Sequence, residues 1–308
     1  MALAYLSHPD CQLHDMGPHH PERPARLDAI NDRLLATGLD MALHHYNAPL
    51  VRRELLEAVH DAAYIDTIFK AAPREGLVWV DADTAMAPGT LNAALRAAGA
   101  AVMAVDLVME GKASKAFCGV RPPGHHAERN AAMGFCFFNN IAIAAYHALN
   151  THGLQRVAIV DFDVHHGNGT ENIVADDERV LFCSTFQHPF YPHSGHDSTA
   201  ANVVNVPLEA GSDGTVFRQA VERHWLPRLA AFEPELVLVS AGFDGHQADY
   251  MAQLNLVDGD YAWVTRRLCE QADRSAAGRV VSSLEGGYEL QSLARSVEAH
   301  LKAFFGEV

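Results

Sequence analysis

The stretch DFDVHHGNGT, Asp161 to Thr170, sets two carboxylates and two adjacent imidazoles directly after the apolar run RVAIV. Charged groups at the end of a buried strand cost several kcal/mol unless something pairs with them, and a bound cation is the most economical partner. Asp163 and His165 are two residues apart, so an extended backbone aims both the same way. Asp244, in AGFDG, supplies a third ligand from another strand end. Two carboxylates and one imidazole leave positions open on a small divalent ion, the pattern of catalytic zinc sites and not of closed structural ones. Iron(II) suits the same donors. Asp161 lies two residues earlier on the same side. It either orients a histidine from behind or joins Ser184, in CSTF, at a monovalent cation site.

A second group carries acid–base potential. RPPGHHAE offers His125 and His126 in a loop shaped by proline and glycine. Beside a metal, a neutral imidazole can take a proton from water and a histidine can return one to a leaving amine. Two neighbouring imidazoles also push their titrations apart, leaving one neutral and one charged. LEGGYEL places Tyr288 after two glycines, where its phenol can donate to the oxygen of a tetrahedral intermediate. GFCFFNN (134–140) and HPFYPHSG (188–195) bring aromatic residues next to glycine and proline, suited to lining a narrow apolar channel.

The elements that position these groups follow from hydropathy. KAFCGV (115–120), RVAIV (156–160), VLFCSTF (180–186), ELVLVS (235–240) and RVVSSLE (279–285) read as strands covered on both faces. Helical patterns lie around them: PARLDAINDRLLATG, LNAALRAAGAAVMAVDLVME, NNIAIAAYHALNTHG, VFRQAVERHWLPRLAAF and YAWVTRRLCEQA. Gly38 and Gly153 are placed as helix C-terminal glycines. The alternation predicts an α/β fold with a mostly parallel central sheet flanked by helices. RPPGHHAE, DFDVHHGNGT, AGFDGHQAD and GGYEL each follow a strand in the same sense. In such sheets ligands bind beyond the carboxyl ends of the strands, so the four motifs are expected to converge.

Composition narrows the function classes. The 308 residues are 49% hydrophobic and 20% charged, as in a globular protein with a sizeable core, and no linker or repeat divides them. We therefore expect a single domain over 1–308. A net charge of -15 gives no basic face for nucleic acid. Five scattered cysteines, without a CxxC pair, fit a reducing cytoplasm. The start MALAYLSHPD lacks a signal-peptide pattern. The Ala-rich segment Leu91 to Glu110 carries Arg96 and Asp106, and is expected to be a packed helix and not a membrane span.

Taken together and in order, these motifs resemble the histone deacetylase superfamily, specifically its class II-like bacterial branch of histone deacetylase-like and acetylpolyamine amidohydrolases. The resemblance runs from HDMGPHHPERPARL (14–27) through RPPGHHAE, GFCFFNN, DFDVHHGNGT and SAGFDGHQAD to LEGGYEL. It implies an arginase/deacetylase-type fold and one divalent metal, usually zinc, held by Asp163, His165 and Asp244. It makes His125 and His126 the histidine pair, with His126 as general base and acid, and Tyr288 the residue that polarises the scissile carbonyl. Gly134, Phe135 and Tyr191 would wall an acyl-lysine tunnel, with Asp83, in DADTAMAPGT, at the rim holding the substrate backbone. Asp161 would support His125 and, with Ser184, a structural potassium ion.

Three departures bear on chemistry. Asn168 stands as the partner of His126 where class I relatives have Asp, which implies a less basic His126. Tyr191 stands where many relatives have Phe. Met251 stands where polyamine-selective relatives carry an acidic gate, which favours acyl-lysine over acetylpolyamine. Arginase relatives need further acids for a second metal, yet His246 and Gly167 occupy those positions. The expected activity is removal of acetyl or other short acyl groups from lysine side chains, with an acylated lysine peptide or a small acetylated amine as the partner. Acetylpolyamine hydrolysis is the nearest alternative, and a non-catalytic acyl-lysine-binding module the alternative from another class. A homo-oligomer stays open.

Overall fold

A computed structural model describes residues 3–306; the ends of the expected 1–308 span, residues 1, 2, 307 and 308, lie outside the described residues. The strands are β1 (Leu3–Ser7), β2 (Leu43–Asn47), β3 (Val78–Trp79), β4 (Ala85–Met86), β5 (Lys115–Cys118), β6 (Val157–Asp161), β7 (Val180–Gln187), β8 (Val203–Leu208), β9 (Leu236–Ala241) and β10 (Val280–Leu284). Eight of them form one sheet in the order β2-β1-β5-β10-β9-β6-β7-β8. Every pairing in it is parallel. β3 and β4 make a separate antiparallel hairpin. All five runs read as strands are strands, and the sheet has the predicted parallel character.

The central strands are buried along their whole length, as continuous apolar runs covered by helices on both faces require. The two edges differ. β2 (LHHYN) and β8 (VVNVPL) are partly exposed, and polar residues or proline blunt them. Helix Thr90–Met109 is long and apolar enough to cross a membrane. Its Ala and Val side chains are buried against helix Asn140–Thr151 and strands β1, β5 and β10, so it is the packed helix expected. Gly38 and Gly153 close helices Ala25–Thr37 and Asn140–Thr151 in the left-handed region, at φ 73° and 70°.

β5, β10, β9, β6 and β7 are consecutive neighbours in the sheet. The segments leaving their carboxyl ends carry His125 and His126, Tyr288, Asp244, Asp163 and His165, and Tyr191. Parallel pairing puts all five ends on one edge. This is how residues up to 163 positions apart reach one place.

Candidate active site

β6 ends at Asp161, and residues 163–165 form a bend. Strand alternation is therefore not what aligns Asp163 with His165. The carboxylates fold the chain themselves: Asp161 Oδ1 accepts the Asp163 amide at 3.0 Å, and Asp163 Oδ1 accepts the His165 amide at 2.9 Å. Two successive side-chain-to-backbone turns of this kind replace the strand. His165 Nδ1 then lies 3.1 Å from Asp163 Oδ1 and 3.1 Å from Asp244 Oδ2. Each carboxylate spends its other oxygen on a backbone amide. Asp163 Oδ2 accepts from Gly286 at 2.8 Å, and Asp244 Oδ1 accepts from Val164 at 3.0 Å. A Cβ at Gly286 would collide with both carboxylates, so only glycine lets β10's loop come this close.

The donor set fits a divalent cation. The three candidate ligand atoms lie within 4.8 Å of one another and all three residues are buried. Two buried carboxylates face a single imidazole. Burial alone would depress the basicity of His165, but its hydrogen bonds to Asp163 and Asp244 raise its pKa to about 10. Two carboxylates and one imidazole converging in a buried site form an oxygen and nitrogen donor set suited to a divalent cation. His246, where a second metal would need an acid, turns away toward Asp258 Oδ1 at 3.3 Å.

The two histidines of RPPGHHAE lie side by side, with ring centroids 4.0 Å apart and planes tilted by 43°, and differ in electrostatics. His125 Nδ1 donates to Asp161 Oδ2 at 2.9 Å, and its Nε2 lies 3.8 Å from Asp163 Oδ2. Burial opposes its charge, yet Asp161 and Asp163 raise its pKa to about 10. His126 is pushed well below the ordinary histidine value, first by burial and then by the charges of His125 and His165. Its Nδ1 lies 2.7 Å from Asn168 Oδ1. Asn168 Nδ2 donates to Glu128 Oε1 at 2.8 Å, which fixes the amide so that Oδ1 accepts the His126 Nδ1 proton. The Nε2 of His126 is left with a free lone pair.

A cavity of about 230 Å³ opens beside these groups, lined by Asp83, His126, Gly134, Phe135, His165, Phe190, Tyr191, Met251 and Tyr288. Every residue expected in the tunnel and at its rim lines it. Gly134 is at φ 55° and Phe135 at φ 70°. A Cβ on Gly134 would enter the His126 ring, so this turn needs glycine. Phe135 meets Tyr288 edge-on at 6.0 Å. Tyr191 meets His126 edge-on at 5.3 Å. Phe190 stacks on His165 at 5.4 Å. Asp83 also braces the wall, accepting the Gly134 amide at 3.1 Å.

Tyr288 is buried. Burial and the charge of Asp244 hold its phenol far above the ordinary value, so it stays a donor. Its backbone is anchored from two sides. Asp249 Oδ2 accepts the amides of Tyr288 at 2.6 Å and Glu289 at 3.0 Å. Arg26 donates to the carbonyls of Gly287 at 2.6 Å and Glu285 at 2.5 Å, with its guanidinium 5.0 Å from the Tyr288 ring. Glu22 holds Arg26 at 3.0 Å and forms a two-pronged pair with Arg121. Glu285 accepts the amides of Gly124 at 2.7 Å and His125 at 3.1 Å. Glu22, Asp249 and Glu285 are single acids to which sequence reasoning assigns no role; apart from the local Glu22–Arg26 pair, their contacts are tertiary. Ser184 is the β7 partner of Asp161 and lies 3.3 Å from His166 Nδ1.

Comparison with known proteins agrees with this arrangement. Residues 20–304 match the histone deacetylase domain. The chain belongs to the histone deacetylase family. An uncharacterized protein of Synechocystis sp. is 42% identical over 299 residues, covering 94% of this chain and 95% of that protein. The human polyamine deacetylase HDAC10 is 37% identical over 316 residues, covering 97% of this chain and 45% of that protein. Among solved structures, the HDA15 HD domain superposes with a TM-score of 0.94 at 33% identity, covering 100% of this chain and 90% of that one. The family supports deacetylation as the activity.

Proposed function

We propose that residues 1–308 form a single deacetylase domain, a metal-dependent amidohydrolase that removes acetyl or other short acyl groups from lysine side chains. The observation that carries this reading is the meeting of three groups at the foot of one narrow cavity. They are the Asp163–His165–Asp244 cluster, a neutral His126 and a protonated Tyr288.

Asp163, His165 and Asp244 would hold zinc or iron(II), which supplies Lewis acidity toward the amide carbonyl and toward water. Phe135 and Tyr191 flank the extended acyl-lysine stem and exclude water. The Tyr288 hydroxyl donates to the carbonyl oxygen as that oxygen gains charge. The Nε2 lone pair of His126 accepts the proton of the attacking water, and the same nitrogen returns it to the departing amine. Asn168 holds the ring for both transfers. Burial keeps His126 neutral, and the positive charge of His125, paired with Asp161, reinforces this. Asp161 and Ser184 would hold a potassium ion behind the site. Asp83 at the rim is available to the substrate backbone through the oxygen it does not give to Gly134.

Acetylated polyamine is the second reading, favoured by the similarity to HDAC10. Met251 at the cavity mouth favours acyl-lysine, because a thioether offers no charge to a cationic chain. Five free, buried cysteines suit a reducing cytoplasmic setting. The test is metal analysis of the purified protein with turnover of acetyl-lysine and longer acyl-lysine peptides, acetylputrescine and acetylspermidine. We expect one catalytic metal, loss of turnover after chelation, and faster turnover of the peptides. Chelation without effect would end the metal-dependent reading, and faster polyamine turnover would favour the second.

A further inference from the structure

Asp106, His147 and His152 form a second cluster of potential ligand atoms, all within 4.8 Å of one another. Asp106 lies in the last turn of helix Thr90–Met109. His147 lies on helix Asn140–Thr151, and His152 is the residue that caps it. His147 Nε2 is 2.6 Å and His152 Nε2 is 2.8 Å from the same oxygen, Asp106 Oδ1. The two rings stand nearly perpendicular, at 88°, with centroids 5.3 Å apart. We propose that Asp106, His147 and His152 form a binding site for a borderline divalent transition cation such as zinc, separate from the candidate active site.

Three features favour a cation over a plain hydrogen-bonded group. Both histidines bring their outer nitrogens to one point, and two imidazoles with one carboxylate are a ligand set for zinc, nickel or copper(II). His147 Nδ1 faces the Thr151 hydroxyl at 3.1 Å, the supporting contact that fixes a ligating ring. The carboxyl ends of two helices meet here, and the partial negative charge of both favours a cation. His147 is buried while His152 and Asp106 are partly exposed, which gives an ion a path in and leaves room for water in its remaining positions.

The location rules out a share in catalysis. Helix Thr90–Met109 leads into β5 and helix Asn140–Thr151 into β6, so this cluster lies at the amino ends of the strands. The candidate active site lies at their carboxyl ends, roughly 15 Å away along the strand direction. The bound ion would link the ends of two packed core helices and stabilise the folded state by mass action.

The test is zinc titration of metal-free protein, read by calorimetry and by metal content after equilibrium dialysis. Wild type is expected to bind two equivalents, Asp106→Asn and His152→Gln one each. Both variants should keep wild-type deacetylase activity once reloaded. His152→Gln alters a partly exposed side chain and guards against loss through misfolding. Asp244→Asn is expected to keep the peripheral equivalent and lose the other, so failure at the active site is read separately. One equivalent in wild type, or two in both Asp106→Asn and His152→Gln, overturns the proposal.

Discussion

Asn168 Oδ1 accepts the Nδ1 proton of His126 at 2.7 Å, while the neighbouring His125 gives its own Nδ1 proton to the carboxylate of Asp161 at 2.9 Å. An amide and a carboxylate thus stand behind two adjacent, mutually tilted rings. The two rings differ in charge: burial and the neighbouring His125 and His165 keep His126 neutral, and an amide offers no charge to offset them, whereas Asp161 and Asp163 keep His125 charged against its own burial. Replacing the amide by a charge should raise the basicity of His126, since an opposite charge this close shifts a pKa by about 1 to 3 units. In the proposed mechanism His126 must be neutral to accept a proton. Asn168→Asp is therefore expected to move the acidic limb of the kcat/KM profile upward by at least about one pH unit. An unmoved limb would mean that His126 is not the group that limits the rate there.

Tyr288 has one chemical property to offer, a phenol kept protonated by burial and by Asp244. It touches none of the candidate metal ligands by hydrogen bond, so removing its oxygen should leave the metal in place. Tyr288→Phe is expected to lower kcat about 100- to 1000-fold, the usual loss of one oxyanion donor. Metal content should stay at the wild-type level. Wild-type turnover in this variant would defeat the assigned role.

Much of this site was readable in the sequence because parallel strands that are buried on both faces leave long apolar runs, and polar motifs follow four of the five runs in the same sense. That logic reaches Asp163, His165, Asp244, the histidine pair and Tyr288. It stops where burial is one-sided. β2 and β8 carry polar or partly exposed residues and leave no such run. It also stops at lone acids. Asp249 and Glu22 lie within motifs that assign them no role, and their decisive contacts, to the Tyr288 amide and to Arg121, are 39 and 99 positions away. The bend at 163–165 shows a further limit. Two-residue spacing picked out residues that do meet, but side-chain turns and not a strand bring them together.

Glu22 tests how far such hidden contacts matter. Its carboxylate is fully buried between Arg26 and Arg121, and both guanidinium groups are buried too. Burial disfavours its charge, but Arg121 and His14 hold it well below the ordinary glutamate value. Breaking one member of a buried ion pair leaves the others uncompensated, at about 3 to 5 kcal/mol. Glu22→Gln is expected to lower the stability measured by urea unfolding by that order. Because Arg26 holds the carbonyls of Gly287 and Glu285, the folded fraction should also turn over more slowly. A variant as stable as wild type would show that water or another anion serves these arginines in place of the Glu22 carboxylate.

His60 gives the fold a predictable response to acid. Its Nδ1 donates to the Glu128 carbonyl at 2.9 Å, and its Nε2 accepts the Asn139 amide at 3.0 Å. Only the neutral ring satisfies both contacts, because a proton on Nε2 would face an N–H. Burial lowers its pKa from 6.5 to about 4. Between those values the unfolded chain binds a proton that the folded chain refuses, so stability must fall as pH falls from about 6.5 to about 4. Below that range both states are protonated and the effect levels off. Linkage gives a loss of about 2 kcal/mol between pH 7 and pH 5 from this residue. Urea midpoints of wild type and His60→Gln across that range measure it. The stability of wild type should drop more steeply, by about that amount, and parallel curves would remove His60 from the account.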